Sequence, residues 1–372
     1  MVICLIVFFE SLRTFLARRG YTNKIDTERA KLSFDSSKVR WISLFCWVSL
    51  AIYFLTFLKT GVPLLNSMDR ASYWKMIEPI PVVYTLLSNF LFISFLIGYC
   101  FAFEKVRTGS ANLPLIQFAL LILFFVLSGN KFSALLALIT NFLIVPVFFG
   151  FQKSFNWKKV VKWGGLSILF FAGAILIQSS TYSLDGDFYG KYGIFSYLFQ
   201  RVFILQGEIW WKTYQDIIVN NQFDSNHIWQ EIRNVFSLET DGYTGLRYLM
   251  AQSAQGDFIY NIIKNGKYLY TGAFPAIILV TFPLIFVLPV LYILGKGFGY
   301  IIMSFKRLIF SNSLIRIYLI YIIYKTYNSM ILGGAFDAFF IATNIGRILI
   351  LLAIAILIYD QSNRRKLEAN LK

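Results

Sequence analysis

The chain has 372 residues, of which 57% are hydrophobic and 19% are aromatic, while only 15% are charged. A soluble protein cannot bury that much apolar surface, because even a large globule keeps a polar exterior. The composition therefore excludes a soluble globular domain. The net charge of +16 would fit nucleic-acid binding, but the basic residues cluster beside apolar runs, as they do in membrane proteins. We therefore expect no nucleic-acid partner.

Apolar runs recur along the whole chain and predict about nine or ten membrane-crossing helices, each of which needs about 20 mostly apolar residues. The first run, 1–17, is short, and the run 314–332 contains Lys325. The other runs are 41–58, 82–103, 113–128, 132–151, 163–179, 273–295 and 344–360. They predict an all-α, polytopic transmembrane bundle.

The runs also predict a division of the chain into three parts. Residues 1–179 should form an N-terminal transmembrane bundle of about six spans. Residues 180–272 form a long polar loop, in which short helices are expected at 194–219 and 226–238. Residues 273–372 should form the C-terminal transmembrane helices and a short tail.

Lys and Arg residues are unevenly distributed between alternate loops. Loops 13–40, 104–112, 152–162, 296–316 and 361–372 together hold 22 of them, and the opposite loops hold 11. Because basic loops stay in the cytoplasm, the first set is predicted to be cytoplasmic and the long loop to be external. We expect a multi-pass protein of the inner, cytoplasmic-membrane type with a cytoplasmic C-terminus and an odd number of spans, and its long loop is periplasmic if the cell has two membranes.

The residue types that build metal or nucleotide sites are sparse. Cys4, Cys46 and Cys100 all lie in apolar runs, which predicts buried, unpaired thiols. His227 is the single histidine, and it has no neighbouring ligand with which to share a metal. Phosphate-loop, dinucleotide-binding and zinc-protease motifs are absent. No cofactor and no metal are therefore expected.

One candidate functional cluster follows the run 41–58. Gly61 and Pro63 should end the helix and keep Arg70 close to the membrane, beside Tyr73 and Trp74. The simpler interpretation of this segment is a capped loop with an aromatic anchor at the membrane interface.

Two further clusters lie on the predicted outer face. The turn 128–133 contains Lys131, which could equally extend to the lipid headgroups. In the long loop, the predicted helix carries Arg201 and Glu208 on one face. That helix could equally rest on the bilayer with an exposed Glu208–Lys212 pair. The other candidate residues of the loop are Gln206, Trp210, Trp211 and Arg247.

These residue types fit a lipid-linked, anionic substrate. Arginine binds phosphate oxygens through two parallel hydrogen bonds, which suits a lipid diphosphate. Aromatic side chains can pack against the C–H faces of sugar rings, and a carboxylate can orient an acceptor hydroxyl.

The order of features resembles the O-antigen polymerases, the Wzy-type oligosaccharide repeat-unit polymerases. These proteins are similar in having many spans and one large periplasmic loop in the later half. The pattern Gly61-Val-Pro-Leu…Arg70…Tyr73-Trp74, the turn 128–133 and the stretch 201–211 resemble segments of that family. The topology covers nearly the whole chain, whereas the motifs cover about a tenth of it and are weakly specific. The odd number of spans departs from the family pattern at the first helix.

The resemblance implies that the protein polymerises oligosaccharide repeat units carried on undecaprenyl diphosphate. Arg201 and Arg70, with Arg247 as a third candidate, would contact the diphosphate, and Glu208 would act as the base. Lys131, Gln206, Trp210 and Trp211 would make further substrate contacts. A chain-length regulator and a flippase of the same pathway are the implied partners.

Three alternatives remain open from the sequence, and one of them is a non-enzymatic scaffold. An O-antigen ligase would use the same lipid-linked donor. A flippase should carry charged residues deep in several spans, whereas these spans are nearly free of acidic residues and Asp337 lies near an outer end.

Overall fold

The computed structural model describes residues 2–18, 36–66, 68, 70–129, 132–148, 205–220, 274–309 and 314–333, and a few isolated positions beyond these. Within these residues the chain forms helices and turns but no strand, which confirms the all-α prediction for them. The chain divides into two compact units. Unit 1 contains Met1–Tyr21 and Phe195–Lys372, and unit 2 contains Thr22–Ile194. The predicted division into residues 1–179, 180–272 and 273–372 separates membrane-spanning parts from an external loop, and it stays a prediction.

The helices are numbered in chain order across both units. They are α1 (Val2–Arg18), α2 (Ser36–Thr60), α3 (Arg70–Ile77), α4 (Pro81–Ser88), α5 (Phe90–Thr108), α6 (Asn112–Leu127), α7 (Phe132–Phe148), α8 (Leu205–Thr213), α9 (Ala276–Thr281), α10 (Leu284–Ile309) and α11 (Leu314–Gly333). Helix α8 continues into a π-helical turn, Tyr214–Val219.

Two of the described helices are long and apolar enough to cross a bilayer: α2 and the Leu284–Lys306 part of α10. The pair α4–α5 meets the same criterion as a single span bent by 60°. Helix α6 and the Ala134–Val147 part of α7 are shorter but apolar. These helices make the chain a membrane protein. The predicted runs 163–179 and 344–360 lie almost entirely outside the described residues.

The predicted bounds of the span 273–295 are wrong. Phe282 has an extended backbone, and the chain breaks there between the six-residue α9 and the long α10. Pro283 explains the break, because proline disfavours a helical conformation in the residue before it. Helix α10 then continues into the segment 296–316 that was predicted to be a loop. Its Lys296 ammonium lies 4.1 Å from the centre of the Tyr292 ring, which stabilises the charge within the helix.

The predicted span 82–103 is also interrupted. It consists of α4 and α5, which meet at Asn89. The Tyr53 hydroxyl donates to the Leu86 carbonyl at 2.8 Å. The side-chain amide of Asn89 donates to the Thr85 carbonyl, also at 2.8 Å. These bonds satisfy carbonyl oxygens next to the bend, which is a condition for breaking a helix inside a membrane.

Small residues allow close helix packing within each unit. In unit 2, a Cβ added at Gly98 of α5 would overlap the backbone of Phe142 in α7. Ser94, one turn earlier, donates to the Leu138 carbonyl at 2.7 Å. In unit 1, a Cβ at Gly299 of α10 would lie 2.6 Å from Phe15 of α1. Small residues one turn apart are typical of packed membrane helices.

Candidate functional site

The loop after α2 turns sharply, as the sequence predicts. Gly61 has a φ of 71°, in the left-handed region that favours glycine. A Cβ at Gly61 would also overlap the side chain of Asn66. The Leu64 amide then donates to the Leu127 carbonyl at 3.0 Å, which fixes the loop to the last residue of α6.

A hydrogen bond between two buried hydroxyls positions α3 beside α2. The Thr56 and Tyr73 hydroxyl oxygens lie 2.8 Å apart. Tyr73 is fully buried, and burial raises its pKa to about 12. The phenol therefore stays protonated at neutral pH and takes part as a neutral hydrogen-bonding group. Its role is to hold α3 against the span.

Aromatic rings fill the space around this hydrogen bond. The Phe124 ring of α6 stacks on Phe57 at 5.0 Å and on Tyr53 at 5.1 Å, between ring centroids. Trp74 makes an edge-to-face contact with Tyr84 of α4 at 6.1 Å. The Trp74 Nε1 atom is buried and has no hydrogen-bond partner within the described segments.

The structure describes the backbone of Arg70 and the first two residues of the predicted turn 128–133. Arg70 is the first residue of α3, four residues and about one turn before Trp74. Gly129, with a φ of 70°, forms the start of the predicted turn 128–133. The side chain of Arg70 and the whole of Lys131 lie outside the described residues.

Within the long loop, the structure describes residues 205–220 and two isolated positions. The predicted helix 194–219 is confirmed from Leu205 onwards, as α8 and its π-helical turn. Gln206 and Glu208 lie in α8, but their side chains are outside the described set, as are Arg201 and Arg247. Trp210 is half-buried.

One face of α8 is buried. Ile209, Thr213 and Ile217 are inaccessible to solvent and lie four residues apart. The Thr213 hydroxyl donates to the Ile209 carbonyl at 2.8 Å, within the helix. Helix α8 lies against α9, all six residues of which are buried. The buried face thus fixes which residues of α8 point outwards.

Two rings are exposed on this segment, and we call Trp211 and Tyr214 the aromatic pair. The side chains are 68% and 45% exposed, and their ring centroids are 5.9 Å apart with planes inclined by 31°. Lys212 and Asp216 form an ion pair of 3.0 Å beside them. Tyr214 and this ion pair are not among the residues predicted from the sequence. The spacing of four residues between Lys212 and Asp216 on a helix is the signal that indicates such a contact.

Part of the chain matches a known family model. Residues 239–348 match a protein family of unknown function (DUF6418). This segment includes the candidate Arg247, the short α9 and the whole of α10 and α11. No curated protein and no solved structure has significant similarity to the chain.

Proposed function

We propose that the protein polymerises oligosaccharide repeat units carried on undecaprenyl diphosphate, at the outer face of a bacterial inner membrane. An acceptor sugar hydroxyl oxygen attacks the anomeric carbon of the donor chain. The new C–O bond forms as the bond from that carbon to the diphosphate oxygen breaks. Undecaprenyl diphosphate leaves with the electron pair, and the hydroxyl proton passes to a base.

The proposal assigns roles to charged, polar and aromatic residues. Arg201 and Arg70, with Arg247 as a third candidate, neutralise the departing diphosphate, whose negative charge grows in the transition state. Lys131 makes a further substrate contact. Glu208 accepts the proton. Gln206, Trp210 and Trp211 hold the sugars. Because the diphosphate is already a good leaving group, positioning two membrane-bound substrates supplies much of the remaining rate.

This function requires a defined membrane arrangement. We propose a polytopic bundle of about nine or ten spans, with the loop 180–272 in the periplasm and the C-terminus in the cytoplasm. A chain-length regulator and a flippase of the same pathway would be its partners. The product would be O-antigen or capsular polysaccharide.

The observation that carries the proposal is the exposed face of α8. It combines two aromatic rings with an ion pair, next to Glu208 in the chain. Two exposed aromatic rings beside an ion pair whose lysine side chain is 40% exposed suit a ligand with both C–H faces and hydroxyls. A sugar has both.

A flippase is the second candidate, and the bend between α4 and α5 favours it. Broken helices near the middle of a membrane often form substrate sites in transporters, and this pair bends by 60°. The bend alone does not provide a polar path, because the hydroxyl and amide groups at it are hydrogen-bonded to carbonyls.

A deletion strain separates these functions. Without a polymerase, the lipopolysaccharide should retain a single repeat unit and lose the ladder of longer chains on a gel. Without a flippase, single repeat units should accumulate on undecaprenyl diphosphate inside the cell and none should reach the surface. Without a ligase, long chains should accumulate on undecaprenyl diphosphate. A ladder that survives the deletion would refute the proposed polymerase.

Reporter fusions test the orientation that the proposal requires. Fusions after Ser110, Lys159 and Lys306 should report the cytoplasm, and a fusion near Asp241 should report the outside, as the Lys and Arg distribution predicts. A cytoplasmic signal at Asp241 would place the loop on the wrong side for a substrate at the outer face.

A further inference from the structure

We propose that the aromatic pair of Trp211 and Tyr214 packs against a sugar ring of the repeat unit and is not a lipid anchor. The proposal rests on the proposed function for the identity of the saccharide. It adds Tyr214, Lys212 and Asp216 to the binding site, and it assigns this face to the sugar part of the substrate instead of the diphosphate.

The composition of the exposed face separates it from the lipid-facing surfaces of the same protein. Over Trp41–Leu58 of α2 and Leu284–Tyr300 of α10, no exposed residue has a charged or amide side chain, and the most exposed large hydrophobic side chains are Leu58 at 83% and Ile285 at 78%. Around the aromatic pair, the exposed neighbours are Gln215, Asn220 and one apolar residue, Val219, at 62%. Amide groups lose their hydrogen bonds to water in hydrocarbon. This face is therefore built for a polar surrounding.

The two rings offer exposed aromatic faces against which the C–H groups of a sugar ring can pack. The planes of Trp211 and Tyr214 are inclined by only 31°, and the centroids lie 5.9 Å apart. Both side chains project from a helix whose opposite face is buried against α9, so they are held by a fixed base. Rings have few rotatable bonds, so they lose little conformational entropy on binding.

The ion pair supplies hydrogen bonds at the edge of this surface. The Lys212 side chain is 40% exposed, whereas the Asp216 side chain is 14% exposed. Lysine can donate to a sugar hydroxyl while the aspartate holds it in place, and the aspartate can accept from a second hydroxyl. The pair has no net charge, so it offers little attraction to a diphosphate. It suits neutral sugar hydroxyls better.

The first experiment measures binding of a saccharide without its lipid diphosphate. The probe is the repeat-unit oligosaccharide released by mild acid from the lipid-linked intermediate of the producing strain. Saturation-transfer NMR with the full-length protein in nanodiscs should show binding. The double variant Trp211→Ala/Tyr214→Ala should bind about tenfold or more weakly, because both rings are lost. Binding of sodium pyrophosphate should be unchanged.

Trp41→Ala is the matched control. Trp41 lies in α2 and is 68% exposed, the same fraction as Trp211. We expect this variant to bind the oligosaccharide as the wild type does. Wild-type protein that does not bind the oligosaccharide, or a double variant that binds it equally well, would overturn the proposal.

A second experiment tests a lipid as the occupant of the same face. In nanodiscs of phospholipids brominated near the headgroup end of the acyl chain, bromine quenches the fluorescence of tryptophans that contact lipid. Trp41→Phe should reduce the quenchable signal, whereas Trp211→Phe should not. Equal losses from the two variants would make the aromatic pair a membrane anchor and overturn the sugar site.

Failure of this inference and failure of the polymerase assignment have different signatures. If the deletion strain loses its ladder but the double variant binds the oligosaccharide normally, the polymerase stands and the sugar site falls. If the ladder survives the deletion while binding depends on the aromatic pair, the protein binds this saccharide for another purpose.

Discussion

The contact between α5 and α7 and the contact between α2 and α3 are built by opposite means. Helix α5 approaches α7 so closely that a single added carbon at Gly98 would overlap the Phe142 backbone. Helix α3 instead reaches α2 through the Thr56–Tyr73 hydrogen bond and the surrounding rings. In lipid, helices associate through close packing and hydrogen bonds, since lipid tails are as apolar as the side chains. The first contact depends on the absence of a side chain, and the second depends on particular polar atoms.

The two contacts should respond differently to substitution. A side chain added at Gly98, where α5 and α7 are in close contact, should prevent folding whatever its chemistry. A substitution at Thr56 or Tyr73, where α2 and α3 meet, should have a smaller effect that depends on the atoms removed. The proposed chemical groups, in contrast, should affect turnover and leave the amount of protein unchanged.

The largest effect is expected from Gly98→Leu. The new side chain cannot fit against the Phe142 backbone, and overpacking by even a few atoms typically destabilises a core by about 1–3 kcal/mol or more. We expect little folded protein in the membrane fraction, measured by size-exclusion chromatography after extraction in mild detergent. Gly346→Leu is the control, since a Cβ at Gly346 meets nothing within 4 Å. Equal yields of the two variants would show that α5 and α7 are not in close contact.

The second largest effect is expected from Arg201→Ala, and it should appear in activity alone. Losing a charged contact to the diphosphate should raise the barrier by about 2–4 kcal/mol, or slow polymerisation by about 30- to 1000-fold. Arg201→Lys should recover little, because an ammonium cannot form two parallel hydrogen bonds with phosphate oxygens. The measurements are the polysaccharide ladder and the protein level in the membrane. A normal ladder would reduce Arg201 to a surface role, worth under about 1 kcal/mol, and would favour Arg70 or Arg247.

A smaller effect is expected at the Thr56–Tyr73 hydrogen bond. Thr56→Val leaves the buried Tyr73 hydroxyl without this partner and should destabilise the protein by about 1–3 kcal/mol. Adding Tyr73→Phe removes the unpaired hydroxyl, so the double variant should be less destabilised than the sum of the two single changes. Thermal unfolding in detergent measures both. Simple additivity would show that the two hydroxyls do not interact.

The sequence predicts the helices of this protein better than their interruptions. Apolar runs identify α2, α6, α7 and α11, because a long apolar stretch is itself the physical condition for a span. The breaks at Asn89 and Pro283 escape the same reasoning, because apolar residues continue on both sides of them. Gly61 and Pro63 were found because they follow the end of a run. A break inside a run has to be recognised from the proline alone.

The candidate residues show the same limit. Trp211 was found from its residue type, whereas Tyr214 and the Lys212–Asp216 pair become visible only when the buried face of α8 is known. That the buried Trp74 Nε1 has no partner among the described residues depends on the packing of several helices. Such a relation between distant residues has no local pattern in the chain.

The smallest effect is expected from replacing the three cysteines, and here the sequence prediction is confirmed in structural terms. Cys4, Cys46 and Cys100 are free and buried, and the Cys100 thiol contacts the Val39 carbonyl at 3.8 Å. The triple alanine variant should lose some stability, because removing buried atoms leaves small cavities. Its polysaccharide ladder should persist, because no proposed step uses a thiol. The test compares ladder and membrane protein level with those of the wild type. A variant that accumulates normally but loses its ladder would show that a thiol contributes to the reaction. That result would assign the reacting groups to the helices that carry the cysteines instead of the long loop.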